Sequence, residues 1–195
     1  MIEIRKATLA EVADIIRIGR GVFALTFGHS VPDSELQAYL DSAYTEPLIS
    51  AELQDATKDI FVAVDRPDSD KRTSPDSDES STADSPAVVG FAQLTRGTSV
   101  AEPCVARLPQ ASSSAELQRL YVAASHHGQG IGRRLAAAAE DVARDEGFTH
   151  MWLGVWEENG AAARVYAKLG YSGIGFHDFA VGSVVQRDDI LMKRL

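Results

Sequence analysis

The chain has 195 residues, of which 45% are hydrophobic and 24% charged, a composition that suits one soluble globular domain with a sizeable core. Its net charge of −9 argues against a nucleic-acid-binding protein, which normally presents a basic face, and suits cationic partners. Cys104 is the single cysteine, which excludes an intrachain disulfide and a cysteine-rich zinc site. The sequence shows neither a signal-peptide pattern nor an apolar stretch long enough to span a bilayer, so we expect a cytoplasmic protein that does not enter membranes.

The first part of the chain reads as one strand followed by three helices. Residues 2–7 alternate apolar and polar side chains, which is typical of a half-buried strand. A T-x-x-E capping box then predicts a helix over 9–23, and an S-x-x-Q box at Ser34 predicts a second one. Pro47 suits the first turn of a third helix that ends near residue 54.

A strand pair over 59–64 and 88–96 encloses a stretch of different composition. Residues 66–87 are rich in Asp, Ser and Pro, so they cannot bury enough apolar surface to offset the entropy lost on ordering. We therefore expect one domain over 1–195 that carries a disordered, acidic and serine-rich insertion at 66–87. A second, shorter flexible loop is predicted at 109–115.

The second half of the chain alternates strands and helices. The pattern predicts a strand over 116–122, a helix that ends at Gly147 and a strand over 150–156. Asn159 then caps another helix, and two final strands complete the order β-α-α-α-β-β-β-α-β-α-β-β.

A glycine-rich bend joins the fourth predicted strand to the next helix. Gly128, Gly130 and Gly132 stand just before the helix start, where backbone N–H groups lack intrahelical partners and the helix dipole is positive. Arg133 and Arg134 in the first turn oppose that dipole unless an anion offsets their charge. The bend therefore suits a phosphate, with a purely structural helix start as the alternative.

Three kinds of phosphate loop compete for this bend. The P-loop needs a Gly-Lys-Ser/Thr sequence, which this chain lacks. The dinucleotide fingerprint needs G-x-G-x-x-G after the first strand of its unit, whereas this chain has G-x-G-x-G after its fourth predicted strand. The third is the coenzyme A loop of the GNAT N-acetyltransferases, roughly L-Y-V-x-P-x-x-[Q/R]-G-x-G-x-G, which LYVAASHHGQGIG resembles closely. Ala124 and His127 depart from it, where the family has Pro and Gln or Arg.

Further motifs extend the resemblance over nearly the whole chain. ENGAAARVYAKLGY resembles the N-x-x-A-x-x-x-Y segment of GNAT enzymes, whose Asn contacts the pantetheine arm and whose Tyr lies beside the thioester sulfur. The chain is also similar to the PaiA-type polyamine N-acetyltransferases. The shared features are F-x-x-T-F at 23–27, YLDSAY at 39–44, E-L-x-R-L-Y at 116–121, and an ending of the form G-x-H-x-F followed by D-x-x-L-M.

This resemblance implies both a fold and a reaction. The fold is α/β (α+β), with a central mixed, mostly antiparallel sheet of about seven strands, helices on both faces and a splay between strands 4 and 5. The reaction is acetyl transfer from acetyl-CoA to a primary amine of a small polycation, spermidine or spermine, by direct attack in a ternary complex without a metal. The alternatives are another small amine or a peptide amine as acceptor, or a non-catalytic acyl-CoA-binding protein. A homodimer is one option for its assembly.

The resemblance also implies roles for individual residues. Tyr166 is expected to protonate the leaving thiolate, and Glu116 to act as base or hold a water, unless it is simply a solvated strand end. A backbone N–H at a strand bulge in 120–122 is expected to polarise the thioester carbonyl. The expected cofactor-binding residues are Leu120, Tyr121, Val122, His127, Gly128, Gln129, Gly130, Ile131, Gly132, Arg133, Asn159, Tyr166 and Lys168. Gln118 stands where the PaiA-type group tends to have a second acidic residue.

A polycationic acceptor needs carboxylates or aromatic faces along its path. The expected acceptor contacts are Phe27, Tyr39, Trp156 and Glu157, and the further candidates are Glu35, Asp41, Tyr44, Glu46 and Glu158. Phe23 and Phe27 are predicted to lie on a loop between the first two helices. The histidines show no metal-ligand spacing, so no metal is expected.

Overall fold

The structure is a computed structural model that describes residues 1–66 and 86–195. The strands are β1 (Ile2–Lys6), β2 (Lys58–Asp65), β3 (Ala87–Thr95), β4 (Ser114–Val122), β5 (His150–Trp156), β6 (Ser172–Val181) and β7 (Val184–Arg194). The helices are α1 (Val12–Phe27), α2 (Asp33–Ala43), α3 (Glu46–Gln54), α4 (Pro103–Ala106), α5 (Ile131–Asp145) and α6 (Gly160–Lys168). The predicted insertion at 66–87 lies almost wholly outside the described residues.

The strands form a seven-stranded sheet in the order β1-β2-β3-β4-β5-β7-β6. Every neighbouring pair is antiparallel except β4 and β5, which run parallel and pair only at Ser114↔His150, Ala115↔Met151 and Glu116↔Trp152. Beyond Glu116 the two strands diverge and open a gap in the middle of the sheet. The predicted mixed sheet with a splay between strands 4 and 5 is therefore confirmed.

Helices cover the sheet on both faces, each over its own hydrophobic core. On one face, α5 buries Ile131, Leu135 and Ala139 against the sheet, and α6 packs beside it. On the other face α1, α2 and α3 share a second core, which includes Ile15 and Phe91. Each fully buried large aliphatic side chain contributes about 1.5–3 kcal/mol relative to its exposed state. These two cores hold β4 and β5 in place on either side of the gap.

Helix α1 is longer than predicted, and α2 begins without the predicted capping box. Phe23 and Phe27 follow Gly19 at helical spacing and continue the apolar face of α1, so they lie on a helix and not on a loop. Helix α2 starts at Asp33 after Pro32, and Pro32 supplies no side-chain cap, so the S-x-x-Q box at Ser34 is not formed. The T-x-x-E box before α1 does form.

The region before β4 differs most from the prediction. The sequence pattern missed α4, and residues 109–115 do not form a separate loop, because Ser114 and Ala115 are buried in β4. Ser114 Oγ donates to the Gln110 carbonyl at 2.7 Å, and Ser99 Oγ donates to the Ser114 carbonyl at 2.8 Å. Ser114, which the sequence placed in a flexible loop, therefore satisfies a backbone acceptor at the buried start of β4.

Two glycines of α1 give a matched test of packing. A Cβ at Gly19 would lie 2.2 Å from Cε1 of the buried Tyr44 ring, whereas one at Gly21 would meet nothing within 4 Å. We expect Gly19→Ala to lower the free energy of unfolding by about 1–3 kcal/mol through overpacking. Gly21→Ala should raise it by about 0.5–1 kcal/mol through helix propensity. Urea unfolding of the two variants measures both changes, and equal effects would contradict this packing of α1.

Candidate active site

The glycine bend between β4 and α5 adopts the conformation that a helix-terminal anion site requires. Gly128 and Gly130 have φ of 78° and 74°, in the left-handed region that favours glycine. Gly130 is the N-cap of α5 and provides no side-chain cap, and the first helical hydrogen bond runs from the Arg134 N–H to the Gly130 carbonyl at 3.2 Å. The N–H groups of the three residues before Arg134 therefore point out of the helix end.

A cavity of about 600 Å³, here called the loop cavity, opens in front of this helix end. A Cβ built on Gly128 or Gly130 meets no described atom within 4 Å, so the space there is open to a ligand. The predicted cofactor residues that line it are Leu120, Val122, His127, Gly128, Gly130, Ile131, Gly132, Arg133, Asn159, Tyr166 and Lys168. The His127 ring is held by a 2.9 Å contact between Nε2 and the Val122 carbonyl.

A second cavity of about 350 Å³, here called the split cavity, lies in the gap between β4 and β5. Its walls are largely aromatic, with rings from Phe23, Phe27, Tyr39, Tyr44, Tyr121, Trp152, Trp156, Tyr166 and Phe179. Its carboxylates are Glu116 and Asp188. Tyr166, Asn159 and Leu120 line both cavities, so the two spaces meet at the Tyr166 side chain.

Tyr166 lies at this junction on a helix whose start is fixed by a side-chain cap. Asn159 caps α6 by accepting a hydrogen bond from the Ala162 N–H at 3.1 Å, which fixes the start of the helix that carries Tyr166. The ring packs edge-on against Tyr171, with centroids 5.9 Å apart. Burial raises the pKa of Tyr166 above its ordinary value, so the phenol remains protonated at neutral pH.

Glu116 is the last residue of β4 that pairs with β5, and it lies where the gap between these two strands begins. Burial raises the pKa of its carboxyl, and a hydrogen bond from Thr98 opposes this, as do the charges of His177 and Arg119, while the charge of Glu102 adds to it. A carboxylate with a raised pKa accepts a proton more readily, as a general base must. Glu116 is half-buried and lines the split cavity, and its role as a base stays a prediction.

A positive charge on the wall of the split cavity is neutralised by the protein itself. Arg119 NH1 donates to Glu52 Oε2 at 2.5 Å and to Gln93 Oε1 at 2.7 Å, and its guanidinium lies 5.5 Å from the centre of the Tyr44 ring. Glu52 and Gln93 are both buried. With Arg119 paired in this way, the carboxyl groups of Glu116 and Asp188 are the acidic groups on the described lining that a ligand would meet.

The residues that sequence reasoning missed lie on the β6–β7 side of the split cavity. His177 and Asp188 both line it, and the buried Glu102 at the start of α4 contacts His177 Nδ1 through Oε2 at 2.6 Å. His177 lies in the G-x-H-x-F segment noted in the sequence, and Asp188 begins the D-x-x-L-M segment. No local pattern indicated that these segments face the same cavity as Glu116.

Comparison with known proteins identifies the family. The model of the acetyltransferase (GNAT) family matches residues 38–171, which include β4, the glycine bend and α6. The chain belongs to the GNAT acetyltransferase family. This GNAT enzyme is therefore an acyltransferase whose acetyl donor is acetyl-CoA, and the open helix end and the loop cavity fit that donor.

Three similar proteins span almost the whole chain. An uncharacterized N-acetyltransferase of Lactobacillus delbrueckii subsp. lactis is 25% identical over 194 residues, which cover 100% of this chain and 98% of that protein. The structure of PaiA N-acetyltransferase from Thermoplasma acidophilum with coenzyme A aligns with a TM-score of 0.70 at 20% identity, over 100% of this chain and 99% of that one. The ribosomal-protein-S18-alanine N-acetyltransferase of Escherichia coli aligns with a TM-score of 0.62 at 15% identity, over 100% and 94%. At these identities the structural matches establish the fold alone.

Some residues expected at the GNAT cofactor site lie elsewhere. The Tyr121 side chain lines the split cavity and not the loop cavity, and its hydroxyl accepts a 3.3 Å hydrogen bond from Tyr44. Gln129 is exposed and lines neither cavity. The bulge in β4 lies at Gln118, because Gln93 pairs with Arg119 while Leu94 pairs with Leu117. The bulge expected at 120–122 was wrong, since those residues pair in regular register with β3.

Of the expected acceptor contacts, the aromatic ones reach the split cavity and the acidic one does not. Phe27, Tyr39 and Trp156 line it, and the Phe27 and Trp156 rings lie 5.1 Å apart. Glu157 is exposed outside it. The further acidic candidates are also absent from its lining: Asp41 pairs with Arg20, Glu35 accepts from Ser183, and Glu46 and Glu158 are exposed.

The described residues were compared with the requirements of a metal site and of a membrane-spanning helix. In residues 1–66 and 86–195, no group of three or more His, Cys, Asp or Glu side chains is arranged to hold a metal ion. None of the helices described there combines the length and the apolar character that crossing a bilayer requires.

Proposed function

We propose that this GNAT acetyltransferase transfers an acetyl group from acetyl-CoA to a primary amine of a small polycation, with spermidine or spermine as the acceptor. The observation that carries the proposal is the meeting of the two cavities at Tyr166. The loop cavity offers N–H groups and cationic side chains, which suit a diphosphate. The split cavity offers carboxylates and aromatic faces, which suit a cationic amine.

The residues of the loop cavity would hold the donor at its phosphates and along its arm. The free N–H groups of Ile131, Gly132 and Arg133 would face the diphosphate, and the side chains of Arg133 and Lys168 would add positive charge. Asn159 and Leu120, at the junction, would contact the pantetheine arm on its way to the gap. Bound in this way, acetyl-CoA supplies an acetyl thioester within reach of the split cavity.

The residues of the split cavity would handle the protons of the transfer. An amine arrives as an ammonium ion and must lose a proton before it can attack, and Glu116 would accept that proton directly or through a water. Tyr166 would donate its phenol proton to the leaving sulfur. Beyond Glu116, β4 has no ladder partner on the β5 side, which leaves its N–H groups there free to polarise a carbonyl in the gap.

The charge of the split cavity supports a cationic acceptor over a neutral one. Glu116 and Asp188 face the cavity, and Arg119, the arginine that the described residues place on its lining, is already paired with Glu52. Trp156 and Phe27 add ring faces that attract cations. The resemblance to PaiA-type enzymes and the end-to-end fold match with the Thermoplasma protein agree with this choice of acceptor.

A thiol-release assay across a panel of amines tests the proposal. We expect kcat/KM for spermidine and spermine to exceed that for a monoamine of similar size by at least about tenfold, because a second ammonium gains a charge-assisted contact. A short peptide with a free N-terminal amine is the matched comparison for the peptide-acceptor alternative. Coenzyme A binding with no amine-dependent thiol release would indicate a non-catalytic acyl-CoA-binding protein and contradict the proposal.

A further inference from the structure

Strands β5, β7 and β6 each place one side chain in a row across the floor of the split cavity. Asp188 on β7 lies directly opposite Trp156 on β5 and directly opposite His177 on β6. Residues directly opposite each other in a sheet project from the same face. Trp156, Asp188 and His177 therefore face the cavity together.

Glu102 fixes the orientation of His177 in this row. Its Oε1 accepts the Cys104 N–H at 3.0 Å and so caps α4, while its Oε2 lies 2.6 Å from His177 Nδ1. Glu102 is only 6% exposed, so this contact is protected from water. A carboxylate can only accept, and the neutral imidazole must therefore carry its hydrogen on Nδ1. Nε2 is then a hydrogen-bond acceptor that faces Asp188.

Asp188 supplies a second hydrogen-bond acceptor, and no described group donates a hydrogen bond to its Oδ1 atom. Its Oδ1 is buried and has no hydrogen-bond partner among the described residues. Its Oδ2 lies 3.8 Å from His177 Nε2, beyond hydrogen-bond distance. Burial raises the pKa of Asp188, with the charge of Asp189 opposed by that of His177. A buried carboxylate oxygen without a donor is costly, so its presence on a cavity wall indicates a ligand that donates.

We propose that Asp188 and His177 bind an ammonium group of the acceptor, and that Glu102 is the residue that positions His177 for this contact. An ammonium group carries several N–H donors on one atom, which can satisfy Asp188 Oδ1 and His177 Nε2 together. The Trp156 ring beside Asp188 adds a cation–π face. The inference rests on the proposed function and deepens it, because it assigns the contact that selects a cationic acceptor.

Asp188→Asn, with Asp189→Asn as its control, tests the site directly. Both variants remove one negative charge from neighbouring positions of β7, but Asp189 is exposed and only Asp188 lines the cavity. We expect the Kd of spermidine, titrated calorimetrically in the presence of coenzyme A, to rise by about 10- to 100-fold in Asp188→Asn and to stay within about twofold in Asp189→Asn. Coenzyme A affinity should be unchanged in both. Equal spermidine affinity in the two variants would overturn the proposal.

Glu102→Gln tests the positioning role by a signature that packing alone would not change. Glutamine can keep the cap on α4, but its amide can donate to His177 Nδ1 and so favour the Nε2–H tautomer. We expect nitrogen-15 NMR of the imidazole to show this tautomer change at His177 and not at His126 or His127, together with a rise in the acceptor KM. An unchanged His177 tautomer would overturn the positioning role.

These measurements separate the inference from the proposed function. Polyamine-dependent turnover with normal acceptor affinity in Asp188→Asn would leave the function intact and overturn the inference. Spermidine binding that depends on Asp188, without turnover, would support the ammonium site and overturn the function. A wild-type protein that neither binds nor acetylates spermidine would contradict both.

Discussion

Tyr166→Phe is expected to lower kcat by about 100-fold while leaving the affinity for coenzyme A within about twofold. Tyr166 lines both the loop cavity and the split cavity, so its phenol is the proposed proton donor to a thioester held where the two meet. Phenylalanine keeps the ring and its edge-on packing against Tyr171, and it removes only the proton donor. Steady-state kinetics with spermidine, combined with calorimetric titration of coenzyme A, measures both quantities.

Tyr171→Phe is the matched control for this substitution. Tyr171 packs against Tyr166 but lines neither cavity, and its hydroxyl donates to the buried Glu140 at 3.2 Å. Loss of that hydrogen bond should cost about 1 kcal/mol of stability and leave kcat unchanged. If Tyr166→Phe kept the wild-type kcat, or if both variants lost activity equally, Tyr166 would not be the proton donor.

The pH dependence of kcat follows from the same assignment. Burial raises the pKa of Tyr166 above its ordinary value, and an acid catalyst is active below its pKa. The wild-type kcat should therefore show no decline caused by this group between about pH 7 and pH 10.

Gly130→Ala is expected to weaken coenzyme A binding by about 10- to 100-fold, which corresponds to the loss of one or two charge-assisted hydrogen bonds. Gly130 has a φ of 74°, which a residue with a Cβ adopts at a cost of about 1–2 kcal/mol. Relief of that strain would turn the N–H groups at the start of α5 away from the loop cavity. The added methyl group would also occupy the open space in front of the helix end.

Gly147→Ala separates lost binding from lost stability. Gly147 follows the other end of α5 with a φ of 86°, and a Cβ there also meets no described atom within 4 Å. Both variants should lose similar unfolding free energy, but only Gly130→Ala should lose affinity for coenzyme A. Equal affinities in the two variants would show that the bend serves the fold and not the ligand.

Local signals made much of this protein predictable from its sequence. The T-x-x-E box, the glycine bend and the Asn159 cap are each set by side chains a few residues apart, and all three form as expected. The strand order and the gap also follow once the motifs indicate a GNAT fold. Phe27, Trp156 and Tyr39 were chosen because a polycationic acceptor needs aromatic faces along its path, and all three line the split cavity.

What the sequence did not predict depends on contacts between distant residues. Glu102 and His177 are 75 positions apart, and the four-residue α4 is too short to show a helical period. The position of the β4 bulge at Gln118 is set by pairing with β3, which no single segment encodes. The charged candidates chosen near the helices could not be placed for the same reason: Asp41 pairs with Arg20 and Glu35 accepts from Ser183, and neither lines the split cavity.

The most direct test of the account is an amide NMR titration of the labelled protein with coenzyme A. If the N–H groups at the start of α5 hold the diphosphate, the largest changes in amide chemical shift should fall on Gly128, Gly130, Ile131, Gly132 and Arg133. The amides around Gly147, at the far end of the same helix, should barely move. Saturating coenzyme A that left the five amides unshifted would contradict the account.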